Sequence, residues 1–101
     1  MMAGLALVVN HILRPGHAEA FDELALRTLE AIKVAEPGTL VYAVHTVPGE
    51  PLRRVFYELY RDRAAFEAHE RYPHMTTFLA DRRQHIESVE VEFLDAQAFT
   101  G

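Results

Sequence analysis

The stretch DRAAFEAHERYPH, Asp62 to His74, gathers two histidines and two glutamates in a chain that has no cysteine. A zinc protease needs His-Glu-x-x-His, because imidazoles four residues apart point from one helical face at the same ion. Here His69-Glu70 is followed by Arg71, Tyr72 and Pro73, so the next imidazole, His74, arrives one residue late and beyond a proline. Proline removes a helical donor and turns the residue before it away from helical geometry, which puts His69 and His74 on two successive helices. The protease arrangement is excluded. No pair drawn from His11, His45 and His85 has ligand spacing either, so no metal is expected. What remains for such a segment is proton transfer: a histidine, with an ordinary pKa of about 6.5, exchanges a proton near neutrality, and a neighbouring acid can fix its tautomer.

The rest of the chain must position that histidine. Its 101 residues, half of them hydrophobic, suffice for one compact domain spanning 1–101 and not for two. A formal charge of -5, with Lys and Arg scattered among acids, argues against a nucleic-acid surface. The run LALVVNHIL is broken by Asn10 and His11 and has no basic segment before it, so neither a membrane span nor a leader is expected, and the cytoplasm is the expected location. Without cysteine there is no disulfide framework and no thiolate nucleophile.

Residues 5–13 read as a strand ending at the turn signal RPG. From 17 to 35 the period changes: Phe21, Leu24, Ala25, Thr28 and Ile32 form one stripe of an amphipathic helix, stopped by EPG at 36–38. TLVYAVHTV (39–47) and LRRVFYELY (52–60) are two strands joined through PGEP. Asp62 is the expected N-cap of a helix through Glu70, and Pro73 opens a second helix running to about His85 with Met75, Phe78 and Leu79 inward. Val89, Val91 and Phe93 then alternate with Glu90 and Glu92 in a last strand. The order β-α-β-β-α-α-β fits an α+β fold, a ferredoxin-like split βαβ antiparallel sheet with its helices on one face.

Both faces of that sheet are apolar. The first strand sets Leu5, Leu7 and Val9 against Ala6, Val8 and Ile12, and the third sets Val55, Tyr57 and Leu59 against Phe56 and Tyr60. Helices cover one face only, so a second copy of the chain is expected on the other, as a homodimer through the sheet. At about 25 cal/mol per Å² such burial would be a real part of the stability. By the period of two, Phe56, Glu58 and Tyr60 share one face, and if it looks toward the helices they line the same space as His69, which lies three residues after Phe66. Two readings of His69 stay open: a functional base, or a core histidine satisfied by an acid such as Glu58. His74 reads as a corner residue that ties helix to helix by hydrogen bonding. Asn10, on the face of Val8 and Ile12, either satisfies a backbone group or lines a pocket.

The stretches EPGTLVYAV, FYELYRDRAAFEAHERYPH and FLADR together resemble the antibiotic biosynthesis monooxygenase family, and within it the small quinol-monooxygenase-like members. The match runs through Glu36, Pro37, Gly38, Tyr42, Tyr57, Glu58, Asp62, Ala68, His69, Pro73 and His74. The resemblance implies a dimeric α+β barrel and a cofactor-independent oxidation of a phenol or hydroquinone to a quinone by dioxygen. It assigns His69 as base with Glu58 beside it, Asn10 and Tyr60 as donors to the developing oxygen anion, and Phe66, Met75, Phe78, Leu79 and His45 as substrate contacts. The same family also holds haem degraders, a signalling-molecule isomerase and members without known activity, so a dimeric small-molecule-binding module without turnover stays as the alternative reading. Haem would require a ligating histidine on the last helix and a tryptophan, and this chain has no Trp, although Asn10 matches a polar residue of that branch.

Overall fold

The computed structural model describes residues 4–100. Its elements are β1 (Gly4–Leu13), α1 (Ala18–Ala35), β2 (Thr39–Val47), β3 (Glu50–Tyr60), α2 (Arg63–Arg71), α3 (Pro73–Asp81), a 3-10 turn (Arg82–Gln84) and β4 (Ile86–Ala96). The four strands form one antiparallel sheet in the order β2-β3-β1-β4. This is the ferredoxin-like arrangement: each helical connection skips over a central strand. Among the described residues no helix is long and apolar enough to cross a membrane.

Register decides what each side chain can reach. Leu7 of β1 pairs with Glu58 of β3 and Phe93 of β4, and Tyr42 of β2 pairs with the same Glu58. Opposed residues point to the same side, so Leu5, Leu7, Val9, Phe56, Glu58, Tyr60, Tyr42, Val91 and Phe93 all belong to one face. That face carries the helices. Leu5, Leu7, Val9 and Leu13 are buried with Phe56 and Tyr60 against Phe21 and Ile32 of α1, Phe66 of α2 and Met75 and Phe78 of α3. The α1 stripe expected from the sequence, Phe21, Leu24, Ala25, Thr28 and Ile32, is the set that α1 buries. Arg54 clamps the helix from the sheet side, donating from Nε and Nη2 to the two carboxylate oxygens of Asp22 at 2.8 and 3.1 Å.

Three boundaries differ from the sequence reading. The β2–β3 connection is the tight pair Pro48-Gly49 rather than all of PGEP, because Val47 already pairs with Glu50, and Gly49 takes the positive φ of 78° that this turn needs. α3 ends at Asp81, and the chain tightens into a 3-10 turn before His85. β4 is longer than 89–93 because pairing with β1 extends from Ile86 to Ala96. Asp62 caps α2 as expected, its carboxylate accepting from the Ala65 amide at 2.8 Å.

Gly38, between α1 and β2, is set by contact rather than by φ. A Cβ there would lie 2.6 Å from Ala65 Cβ on α2, while the Gly38 carbonyl accepts from the Arg61 amide at 2.9 Å. The missing side chain is what lets the turn after α1 lie flush against α2. Gly38→Ala is expected to lower unfolding free energy by about 1–3 kcal/mol through overpacking. The double variant with Ala65→Gly should recover part of that loss, measured by urea denaturation; additive losses would reject the contact as the cause.

Candidate active site

The helix-side face of the sheet does not close completely. Between it and α2 and α3 lies a cavity of about 160 Å³ whose walls are mostly apolar: Leu7 and Val9 of β1, Tyr42, Phe56, Phe66, Met75, Phe78 and Leu79, with Val91 and Phe93 of β4. Four ionisable side chains besides Tyr42 reach it: Glu58, His69, Glu70 and Arg82.

His69 is placed by the last turn of α2 and held from behind. Its Nδ1 lies 2.7 Å from Glu36 Oε1, and both side chains are almost completely buried. With the carboxylate accepting, Nδ1 carries the proton and Nε2 keeps its lone pair, which makes no hydrogen bond and lies 3.8 Å from Glu58 Oε1 on the cavity side. Glu36 is not a turn residue alone. Oε1 also accepts from the Thr39 hydroxyl at 2.7 Å, and Oε2 lies 2.5 Å from Nε2 of His74. One carboxylate therefore joins the end of α1, the start of β2, α2 and α3. The corner role read for His74 holds, and its partner is Glu36.

Burial works on the two titratable groups at the cavity in opposite directions. It lowers the His69 pKa below the usual 6.5, opposed by the hydrogen bond and charge of Glu36. It raises Glu58 from 4.5 to about 7, opposed by the Tyr60 hydrogen bond and the positive charge of Arg82. Tyr60 donates to Glu58 Oε1 at 2.6 Å, and burial next to that carboxylate keeps its hydroxyl protonated far above its ordinary range. Tyr42, raised by burial and by Glu58, is likewise a neutral phenol, its ring centroid 5.7 Å from that of His69.

Of the residues singled out in the sequence, the structure brings together His69, Glu58, Phe66, Met75, Phe78 and Leu79 at the cavity. Tyr60 stands one layer behind, fully buried, and acts on Glu58 rather than on the cavity. Asn10 does not belong to this group. Its place in β1 puts it opposite Val55 on the outer face, where it accepts from Arg53 Nε at 2.7 Å, so it satisfies a side chain and stands away from this cavity. His45 pairs with Val55 too, lies on the same outer face, is exposed, and its Nδ1 meets the Val55 carbonyl at 2.8 Å. Glu36, Tyr42 and Arg82 are the site residues that spacing did not reveal. Glu36 and Tyr42 stood in the matched stretches without a role, and Arg82 closes the stretch FLADR.

A carboxyl group with a pKa raised from 4.5 to about 7 holds its proton in the folded chain where the unfolded chain has released it. Its contribution to stability is therefore present below about pH 4.5 and lost as pH rises through about 7. Glu58→Gln, which keeps an acceptor for Tyr60, should leave stability near pH 4.5 almost unchanged and raise it relative to wild type at pH 8, by up to about 3 kcal/mol. Paired denaturation curves at the two pH values check this; a gap that does not widen with pH would place the shift elsewhere.

The sequence profile of the antibiotic biosynthesis monooxygenase family matches residues 6–81. No curated protein matches the chain in sequence. Among solved structures, a Pseudomonas aeruginosa protein is 28% identical with a TM-score of 0.87 over 97% of this chain and 98% of its own. A Caulobacter crescentus protein provisionally named an antibiotic biosynthesis monooxygenase is 24% identical with a TM-score of 0.89, over 94% and 91% of the two chains. One from Nitrosomonas europaea with the same provisional name is 22% identical with a TM-score of 0.90, over 100% and 97%. The two at lower identity speak for the fold alone. With three quarters of its length under the family profile and the same fold throughout, this chain belongs to the antibiotic biosynthesis monooxygenase family.

Proposed function

We propose that the chain is a cofactor-independent monooxygenase that oxidises a phenol or hydroquinone to a quinone with dioxygen. The observation that carries this reading is the His69 imidazole, fixed by Glu36 on one nitrogen and open on the other to a cavity walled by aromatic rings. Dioxygen reacts slowly with neutral closed-shell molecules, whereas a phenolate can give it one electron. The protein need only form and hold the anion. Nε2 takes the hydroxyl proton, and the Glu36 carboxylate stabilises the imidazolium. The anion passes one electron to dioxygen, and the radical pair joins at a ring carbon to give a peroxide, which recovers the proton from His69. Loss of the ring C–H proton and cleavage of the O–O bond then leave one oxygen as the quinone carbonyl and release the other as water. Glu58, titrating near 7, can carry that second proton. Phe66, Phe78 and Tyr42 hold a flat ring and keep water out.

The working unit of this proposal is a homodimer joined through the outer face of the sheet. Its support is composition: Ala6 and Leu59 are buried there, Val8, Val55 and Tyr57 are half-buried and Leu94 is exposed, where a solvated face would be polar. Sedimentation at micromolar concentration should give twice the 11.5 kDa chain mass for wild type and a monomer for Tyr57→Asp; wild type at the chain mass would reject the dimer.

The test of the reaction is oxygen uptake with a panel of hydroquinones, catechols and polycyclic phenols, with and without chelator. Uptake that survives chelation is expected, and silence across the panel would leave a small-molecule-binding module instead. His69→Gln, which keeps a donor and an acceptor but cannot take a proton near neutrality, should lower turnover by about 10² to 10⁴. An active variant would reject His69 as the base.

A further inference from the structure

Arg82 enters the cavity as a guanidinium without a counter-ion. Among the described residues no carboxylate lies in ion-pair range of it, and its side-chain hydrogen bond runs from Nη1 to Nε2 of His11 at 3.1 Å. The guanidinium also lies over the Phe78 ring, 5.8 Å from its centroid. Arg82 is half-buried, so a group with five donors and a fixed charge stands in an apolar wall with one neutral protein acceptor and its other donors free for an anion that enters the cavity.

His11 shows that this placement is maintained at a cost. It is fully buried, its ring 4.5 Å from that of Phe56 and 5.1 Å from that of Phe21. Because Arg82 donates to Nε2, the proton of the neutral ring sits on Nδ1, a buried atom that makes no hydrogen bond. Burial and the Arg82 charge lower the His11 pKa to about 4, against a contact with the Arg54 backbone that raises it, so the ring stays a neutral acceptor throughout the neutral range. An apolar residue at position 11 would remove the poorly satisfied Nδ1, which has only the Arg54 backbone near it; what only an acceptor can do there is aim Arg82.

Position along the sheet gives the geometry of the ligand. Glu58, beside His69, lies opposite Leu7, and His11 lies four residues further along β1, about 13 Å of strand. Arg82 is thus held from the His11 end of β1 and His69 stands beside Glu58 at the Leu7 end, with the guanidinium still near enough for its charge to act on Glu58. Of the two acids lining it, Glu58 is occupied by Tyr60 and Glu70 is exposed.

Building on the proposed oxidation, we infer that the substrate is a phenol bearing a carboxylate, or an equally placed anionic oxygen, at the end of its ring system remote from the ionising hydroxyl. Arg82 binds that anion, and His11 is the positioning residue behind Arg82.

Calorimetric titration without oxygen compares 4-hydroxybenzoate and 6-hydroxy-2-naphthoate with their neutral carboxamides. At least one carboxylate should bind about tenfold or more tightly than its amide. Arg82→Gln should bring the pair to parity, Arg82→Lys should keep part of the preference, His11→Gln should retain it and His11→Phe should lose it. Equal affinities in wild type, no binding by any of the four, or a preference that survives Arg82→Gln overturns the inference. Oxygen uptake by the same wild-type protein separates the two claims: Arg82-dependent binding without uptake upholds the anion site and removes the oxygenase reading.

Discussion

The carboxylate of Glu36 is the contact on which the site depends. It is buried, and its acceptor capacity is used by Thr39 and His69 on one oxygen and His74 on the other. A buried carboxylate without donors is expensive, so each of these partners is held in place by what its loss would leave behind. The geometry of the α2–α3 corner follows. Tyr72, in extended conformation before Pro73, breaks the helix so that an imidazole from each side of the corner reaches the same acid. Gly38 completes the arrangement by letting the loop that carries Glu36 touch α2 at Ala65.

The same burial that organises this network also sets its protonation. Desolvation disfavours whichever form is charged, so it moves an imidazole down and a carboxyl up. His69 and Glu58 start about two units apart in water and are driven past one another, Glu58 to about 7 and His69 below its usual value. Near neutrality the cavity therefore holds an imidazole with a free lone pair next to an acid able to keep or give up its proton. That is the condition for moving protons in either direction without a large energetic step. Tyr60, which donates to Glu58, and the charge of Arg82 keep the acid from rising further.

Much of the fold was legible because it rests on local periodicity. The α1 stripe, the parity that turned Phe56, Glu58 and Tyr60 toward the helices and the Asp62 cap all appear as read. The site was legible only in part. His69 was found from its neighbours in sequence, but its hydrogen-bonded partner is 33 residues away and the His11–Arg82 pair spans 71, distances at which spacing carries no signal. Glu58 was taken as the acid behind His69, whereas it stands at 3.8 Å on the far side of the ring and Glu36 fills that role. The misplacement of Asn10 has a different origin: the alternation of β1 already set it with Val8 and Ile12, and the outer face offered Arg53 as its partner. His45 lies on the same outer face, two strands over.

The pattern of β4 makes sense only with the cavity in view. Val91 and Phe93 lie on the helix-side face, opposite Val9 and Leu7, yet they are 46% and 57% exposed. Apolar side chains on the inner face of a sheet are normally covered by a helix, and here the space a helix would occupy is the cavity and its opening. Phe93 packs edge-on to Phe66, 5.7 Å between centroids, so the exposed ring continues the inner wall of the cavity outward. An apolar surface of this kind, left open along the edge strand and leading inward to His69, is suited to admit a flat ring and poorly suited to retain water. The exposed apolar side chains of β4 thus border the opening of the cavity, and the feature that looks least stable in the sheet is the one that leads inward to His69.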